Sequence, residues 1–250
     1  MLEPEARLDL RRFSRAVLAD RTLGDELLRL ALERVPSCDE VERAPLFRTF
    51  VEAWRSLRQG RAGAAFSDLS LSEALPPPPP AERLVLVLVD VMGFSSSEAA
   101  EVVGRDGDAG AALLAAGRAW AEGPFAGRAL IIEDEPLIAA ELRALIGRLG
   151  VTVVGAARTA PQAVRLAAAE RPDLLIADYN LDGPATGLDA VQEIQELMAS
   201  PVVFITGYPE RVLAGDDVEP DFVLAKPYTA RAIAAAVAFC LTTERPSLAE

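Results

Sequence analysis

The sequence predicts two fold classes in one chain, an all-α N-terminal half and a C-terminal α/β domain with a doubly wound parallel sheet. Apolar residues recur at helical spacing through residues 1–58, with few helix breakers. From residue 128 onwards, short apolar runs alternate five times with helical patterns, which is typical of a five-stranded parallel sheet covered by helices on both faces. At 250 residues the chain is long enough for each part to bury its own core.

The N-terminal half has three predicted parts. Residues 1–58 form helices, and residues 59–81, which are rich in proline, serine and glycine, form a linker. The prolines at Pro76–Pro80 favour an extended, stiff spacer, and we prefer a plain linker to a docking motif for this run. Residues 82–123 have the rhythm of a helix–turn–helix, in which Ser95–Ser97 can cap the second helix and Glu98 fits a capping box.

Composition narrows the classes of function. The net charge of −13 disfavours nonspecific binding to nucleic acid and favours a basic protein partner, although acidity also serves solubility alone. The chain has no histidine, so any phosphoryl group that it carries must come from another molecule. Its cysteines, Cys38 and Cys240, lie far apart and form no metal-binding pattern. With no export signal or membrane span in the sequence, we predict a reduced cytoplasmic protein.

The α/β domain is predicted over residues 128–250, and chemically distinctive residues stand at the ends of four of its strands. They are the acidic pair Glu133 and Asp134, then Asp178, Thr206 and Lys226. In a parallel sheet the carboxyl ends of the strands meet at one edge, so these side chains are expected to lie together. Each residue alone has a simpler explanation as a helix cap, an exposed acid or part of a turn. Their joint occurrence in this order favours a single site.

The chemistry of this set is that of a phosphoryl-accepting site. The carboxylates of Glu133, Asp134 and Asp178 are oxygen ligands suited to Mg²⁺, which would allow Asp178 to attack an anionic phosphoryl donor. Thr206 can donate a hydrogen bond to one phosphoryl oxygen, and Lys226 can neutralise another. Asp178 is therefore the candidate phosphoacceptor, and Mg²⁺ is the predicted cofactor.

Residues 128–245 resemble the receiver domain of response regulators, which has a flavodoxin-like fold. The resemblance is carried by Ile132–Glu135, Ala177–Asn180 and Ala225–Pro227. It implies that a sensor histidine kinase or phosphotransfer protein phosphorylates Asp178, and that the Lys226-Pro227 peptide is cis. The Mg²⁺ ligands that it implies are Glu133, Asp134, Asp178 and the backbone carbonyl of Asn180.

Two segments depart from the usual receiver pattern. Receivers carry a switch aromatic three residues before the lysine, and here that position holds Val223. After the fourth predicted strand, Phe204–Leu213 resembles a receiver variant with the pattern Phe-x-Thr-Gly-Tyr. Tyr208 or Phe222 is therefore the candidate to replace the usual aromatic partner of the threonine.

The predicted helix–turn–helix lacks the chemistry for binding DNA. Residues 82–122 contain seven acidic and three basic side chains. In the third helix, which stands where a recognition helix would, Ala109–Gly117 offers no side chain suited to bases or phosphates. We therefore predict no direct binding to DNA.

The N-terminal half resembles regions two and four of an extracytoplasmic-function sigma factor. Region four is carried by Val91–Ser95 and Glu98–Ala100, and region two more faintly by Asp25–Leu28 and Phe50–Trp54. A sigma-like domain followed by a receiver is similar to the PhyR-type regulators of the bacterial general stress response. This resemblance spans essentially the whole chain.

That resemblance implies partner switching by mimicry of a sigma factor. Phosphorylation of Asp178 is expected to release the sigma-like half from the receiver, and residues 207–242 are the expected contact face. The released half would hold an anti-sigma factor of the NepR type in an apolar groove between its two lobes. The extracytoplasmic-function sigma factor would then be free to join RNA polymerase.

Three alternatives stay open from the sequence. One is a phosphorylation-controlled DNA-binding regulator or genuine sigma factor, which the acidity of the helix–turn–helix opposes. Another is a Mg²⁺-dependent phosphatase of the haloacid-dehalogenase type, which would need an aspartate where the chain has Asn180. The last is a receiver with an inert helical extension. We predict a phosphoacceptor protein and not a turnover enzyme.

Overall fold

The computed structural model of the protein describes residues 4–18, 20–34, 42–59, 69–214 and 220–242. The chain forms two compact units, residues 1–118 and residues 119–250. The helices described before the sheet are α1 (Pro4–Leu18), α2 (Arg21–Glu33), α3 (Arg43–Arg58), α4 (Leu69–Ala74), α5 (Ala81–Leu86), α6 (Ser96–Val102) and α7 (Gly110–Ala121). The prediction of an all-α N-terminal half is confirmed.

The first unit is built on an aromatic core centred on α3. Phe47, Phe50 and Trp54 lie on one face of this helix at spacings of three and four residues, and all are fully buried. Phe13 of α1 packs against Phe47 and Phe50, with ring centroids 5.2 and 5.9 Å apart. Phe94, just before α6, lies 4.9 Å from Phe47. The first helices and the helix–turn–helix region therefore share one core.

Local sequence sets the starts of two helices in this unit. α2 begins after Asp20, whose carboxylate accepts the N–H of Leu23 at 2.8 Å. α6 begins with the predicted capping box. The N–H of Glu98 donates to Ser95 Oγ at 3.2 Å, and the N–H of Ser95 donates to the Glu98 carboxylate at 2.9 Å.

The predicted linker is in part a packed element. It contains α4, and Leu71 and Leu75 of this segment are buried. The indole N–H of Trp54 also donates to the carbonyl of Pro76 at 2.8 Å, at the start of the proline run. The sequence does not reveal α4 within the predicted linker of residues 59–81, because a six-residue helix with two apolar anchors leaves no clear periodicity. Residues 60–68 lie outside the described residues.

The helix predicted over residues 82–92 changes its winding halfway. α5 ends at Leu86 and is continued by a π-helical turn, Val87–Val91. Hydrophobic spacing does not reveal such a turn, because it adds a single residue to an apolar helix. On this turn the carboxylate of Asp90 accepts two hydrogen bonds from Arg118 of α7, at 2.6 and 2.9 Å.

Two glycines let α7 pack closely on its neighbours. A Cβ atom on Gly110 would lie 2.0 Å from the carbonyl oxygen of Ser96, and one on Gly117 would lie 2.3 Å from that of Glu82. Both glycines stand on one face of α7, two turns apart, so the helix approaches the first residues of α6 and α5 backbone to backbone. Residues that look uninformative in the sequence therefore fix α7 in place.

The boundary between the units falls inside α7, after Arg118, rather than in the gap between residues 123 and 128. In the last turn of the helix, Trp120 packs edge-on against Phe125 and Phe239, with ring centroids 6.2 and 5.3 Å apart. These rings lie in the second unit. The sequence does not reveal this boundary because the helix runs through it without a break.

The second unit contains the predicted parallel sheet, with five strands in the order β2-β1-β3-β4-β5. The strands are β1 (Arg128–Ile132), β2 (Thr152–Ala157), β3 (Leu174–Ala177), β4 (Val202–Thr206) and β5 (Phe222–Ala225). The helices are α8 (Pro136–Arg148), α9 (Ala160–Glu170), α10 (Gly187–Gln195), α11 (Pro209–Ala214) and α12 (Ala230–Thr242). α8 packs with α12, and α9 packs with α10, which covers both faces of the sheet. The predicted doubly wound fold is confirmed.

The strand order places a crevice between β1 and β3. The connection from β1 leads to β2 on one side, whereas β3 lies on the other side of β1. In open parallel sheets, ligands bind at the carboxyl ends of the strands where the order reverses. Glu133 and Asp134 follow β1, and Asp178 follows β3, so the candidate residues stand at this point.

Two further findings bear on the compositional predictions. Of the helices within the described ranges, none has both the length and the apolar character that crossing a membrane requires. Cys240 is buried in α12, where burial raises the pKa of its thiol, and Cys38 lies outside the described residues.

Candidate phosphoacceptor site

Three carboxylates meet where β1 and β3 end. Oxygen atoms of Glu133, Asp134 and Asp178 all lie within 4.8 Å of one another. The backbone fixes this approach, because the N–H of Asp178 donates to the carbonyl of Ile132 at 2.8 Å. Glu133 and Asp178 are buried, whereas Asp134 is half-buried. The three acids predicted to share a site therefore form one cluster.

Lys226 reaches this cluster from β5, two strands away from β3. Its ammonium donates to Asp178 Oδ2 at 2.6 Å and lies 3.5 Å from Glu133 Oε2. Its backbone N–H donates to the carbonyl of Thr206 at 2.9 Å, which anchors the end of β5 to the end of β4. The Lys226-Pro227 peptide is cis, as the resemblance to receivers implies.

Thr206 ends β4 and is fully buried. Its Oγ1 accepts the N–H of Tyr208 at 3.0 Å. A hydroxyl that accepts one hydrogen bond still has its own proton to donate. Thr206 therefore remains able to donate a hydrogen bond to a ligand.

The burial of these charges perturbs their pKa values. Burial raises the pKa of Glu133 to about 7, even though the N–H of Glu135 and the ammonium of Lys226 both favour its charged form. Burial alone would lower the pKa of Lys226. Its hydrogen bond to Asp178, together with the negative charges of Asp178 and Glu133, outweighs burial and raises that pKa. The site thus holds more acidic groups than its single lysine neutralises.

The donor set fits a small hard cation. All the candidate ligand atoms are carboxylate oxygens, and Mg²⁺ prefers oxygen ligands and keeps several of its waters. The half-buried position of Asp134 suits a metal that remains partly hydrated. The N–H of Asn180 donates to Asp178 Oδ1 at 3.4 Å. A role for the Asn180 carbonyl as a metal ligand stays a prediction.

Gly187 packs against the backbone of the candidate phosphoacceptor Asp178, a feature that sequence reasoning missed. A Cβ atom at this position would lie 1.7 Å from the carbonyl oxygen of Asp178, and the N–H of Gly187 donates to the carbonyl of Tyr179 at 2.7 Å. α10 begins here with a capping box between Thr186 and Asp189. The capping pattern is visible in the sequence, but the need for glycine appears only when the helix start meets β3.

The two candidates for the switch aromatic lie in different surroundings. Phe222 is buried at the start of β5, with its ring centroid 5.8 Å from that of Phe239. Tyr208 is 41% exposed, and its backbone N–H donates a hydrogen bond to Thr206 Oγ1. Of the two, Tyr208 adjoins the site, and its role as a switch stays a prediction.

The chain is similar in sequence to known response regulators. Residues 129–238 match the response regulator receiver domain. The chain is 37% identical over 241 residues to the phyllosphere-induced regulator PhyR of Methylorubrum extorquens, which covers 93% of this chain and 90% of that protein.

Solved structures give the same relationship. The response regulator PhyR from Brucella abortus has a TM-score of 0.78 and 33% identity, over 95% of this chain and 91% of that chain. The anti-anti-sigma factor PhyR from Bartonella quintana has a TM-score of 0.75 and 31% identity, over 95% of this chain and 93% of that chain.

Proposed function

This chain belongs to the PhyR family of response regulators, and we propose that it is a phosphorylation-controlled anti-anti-sigma factor of the general stress response. The observation that carries the proposal is the 2.6 Å contact between Lys226 and Asp178 inside a cluster of three carboxylates, on the same chain as a sigma-like helical unit. The cluster is the proposed input, and the helical unit is the proposed output.

The proposed input is phosphoryl transfer to Asp178 from a phosphohistidine of a sensor kinase or phosphotransfer protein. A carboxylate oxygen of Asp178 attacks phosphorus, and the new P–O bond forms as the P–N bond to the donor's imidazole breaks. Lys226, whose ammonium contacts Asp178, would neutralise one phosphoryl oxygen, and the hydroxyl of Thr206 would donate a hydrogen bond to another. Bound Mg²⁺, held by Glu133, Asp134 and Asp178, would supply the positive charge that lets two anions approach.

We further propose that the chemistry stops at this acceptor step. Asn180 stands where a phosphatase that uses Asp178 in turnover would need an acid, and the chain has no histidine to act as a general base. The phosphoryl group on Asp178 then acts as a signal.

The helical unit is proposed to bind an anti-sigma factor of the NepR type. The relative from Bartonella quintana is named an anti-anti-sigma factor, a name for proteins that act on an anti-sigma factor. In α7, which stands where a recognition helix would, Arg118 is the single basic residue, and Asp90 accepts its hydrogen bonds. Gly110 and Gly117 of the same helix meet neighbouring backbones. A helix held in this way has little to offer DNA, which supports a protein partner.

The test offers the full-length protein two competing kinds of partner, with and without a small phosphodonor such as acetyl phosphate. The proposal expects Asp178 to carry the phosphoryl group by mass spectrometry, and a NepR-type anti-sigma factor to bind after phosphorylation. The rival hypothesis, a DNA-binding regulator or sigma factor, expects salt-dependent binding to promoter DNA or core RNA polymerase instead. Binding to DNA but not to the anti-sigma factor would reject the proposal.

A further inference from the structure

The guanidinium of Arg211 lies over two tyrosine rings beside the candidate phosphoacceptor. Its central carbon is 4.6 Å from the ring centroid of Tyr208 and 5.9 Å from that of Tyr179. The two ring centroids are 6.5 Å apart. Arg211 belongs to α11, which follows β4, whereas Tyr179 directly follows Asp178 at the end of β3. The arginine side chain therefore crosses from the end of one strand to the end of its neighbour.

A short backbone path ties Arg211 to Thr206. The N–H of Arg211 donates to the carbonyl of Tyr208 at 3.1 Å, and the N–H of Tyr208 donates to Thr206 Oγ1 at 3.0 Å. A phosphoryl group on Asp178 would be held between Asp178 and Thr206. Asp178 and Thr206 are the two residues that would hold the phosphoryl group. The guanidinium of Arg211 contacts the ring of Tyr179, which follows Asp178, and the ring of Tyr208, whose N–H donates to Thr206.

Arg211 differs from the two arginines of this unit that form ion pairs on its surface. Arg128 pairs with Glu170, and Arg158 pairs with Asp182 at 2.9 Å. Within the residues that the structure describes, the exposed guanidinium of Arg211 contacts the two aromatic rings but no carboxylate. Three carboxylates and one ammonium leave the metal-free cluster negative. Bound Mg²⁺ would offset this charge, and a phosphoryl group on Asp178 would make the site negative again.

We propose that Arg211 is a phosphoryl-binding residue, which moves from Tyr208 and Tyr179 to the phosphoryl group when Asp178 is phosphorylated. A guanidinium binds two phosphoryl oxygens through its planar fork, and such charge-assisted hydrogen bonds are stronger than the stacking of a cation on an exposed ring. The exchange is therefore favourable, and it uncovers both tyrosine rings. This inference rests on the proposed function, because it requires Asp178 to be the phosphoacceptor.

The test is a calorimetric titration of the full-length protein with beryllofluoride in the presence of Mg²⁺, since beryllofluoride mimics a phosphoryl group on an aspartate. Arg211→Ala should weaken the affinity about five- to tenfold, and Arg211→Lys by about twofold, because lysine keeps the charge but lacks the fork. Arg165→Ala, which removes an exposed arginine of α9, is the matched control and should bind like the wild type. Equal affinities for Arg211→Ala and the wild type would overturn the proposal.

A second readout follows the side chain itself. The ¹⁵N NMR resonance of the Arg211 Nε–H, assigned by its absence from Arg211→Lys, should shift when beryllofluoride binds. If the wild type takes up no beryllofluoride, or if Asp178→Ala binds it equally well, the phosphoacceptor site and this inference fail together. If uptake depends on Asp178 while the resonance stays in place, only the role of Arg211 is rejected.

Discussion

Replacing Glu133 with glutamine is expected to stabilise the metal-free protein at pH 8, although the change removes a proposed metal ligand. Glu133 is 1% exposed, and burial raises the pKa of its carboxyl from 4.5 to about 7. The negative charge of Asp178 acts in the same direction as burial. At pH 8 without metal, the Glu133 carboxyl of the folded protein is therefore ionised in a buried position that favours its protonated form.

The sign and size of this effect on the free energy of unfolding follow from the linkage between pKa and stability. The folded pKa lies above the unfolded pKa, so the contribution of Glu133 to stability is fully present below pH 4.5 and is lost as the pH rises through about 7. A difference of about 2.5 pKa units corresponds to at most about 3.4 kcal/mol in the free energy of unfolding at pH 8. Glutamine cannot ionise, so the variant should not lose this stability.

Calorimetric unfolding in EDTA between pH 5 and pH 8 measures the effect. Glu133→Gln and the wild type should unfold at similar temperatures at pH 5, and the variant should unfold up to about 10 °C higher at pH 8. Glu135→Gln removes an exposed acid two residues away and should show no such gain. Added Mg²⁺ should reverse the order, because the wild type alone keeps all three carboxylates. A variant that is less stable than the wild type at pH 8 in EDTA would refute the reasoning.

Two further substitutions test contacts that hold each unit together. Gly187→Ala should lower both the melting temperature and the extent of phosphorylation, because its Cβ would meet the carbonyl oxygen of Asp178 at 1.7 Å. Gly147→Ala, in α8 with nothing within 4 Å of the new Cβ, should be neutral or stabilise by up to about 1 kcal/mol, and equal melting temperatures for the two variants would contradict the packing argument. In the helical unit, Arg118→Ala should cost about 3 kcal/mol in urea denaturation, because it leaves the 6% exposed side chain of Asp90 without its arginine. The double variant Asp90→Leu/Arg118→Met, which replaces both charges with apolar side chains, should be more stable than Arg118→Ala and recover most of this loss. An Arg118→Ala variant as stable as the wild type would exclude a structural role for the pair.

The α/β half was predictable because one physical pattern determines both its elements and its site. Strands buried on both faces appear in the sequence as short apolar runs, and the run predicted at residues 173–178 is the strand Leu174–Ala177. Parallel strands share one carboxyl edge, so Asp178 and Lys226 could be placed together although 48 residues separate them. The family inferred from these motifs agrees with the comparisons.

Other features depend on contacts that a sequence pattern does not encode. The π turn at Val87–Val91 leaves the apolar character of its helix unchanged, and α4 is too short to show a period. In the sequence, Gly117 indicates only that α7 lacks side chains for binding DNA, whereas in the structure it allows close contact with the backbone of Glu82. Arg211 could not be linked to the site, because the linkage depends on how the chain turns after Thr206.

One titration decides whether phosphorylation of Asp178 controls the helical unit. The affinity of the full-length protein for a NepR-type anti-sigma factor should be measured with and without acetyl phosphate, for the wild type and for Asp178→Ala. We predict that the phosphodonor tightens binding by the wild type at least about tenfold and leaves Asp178→Ala unchanged. Equal affinities of the wild type in both conditions, or the same gain in Asp178→Ala, would contradict control by phosphorylation.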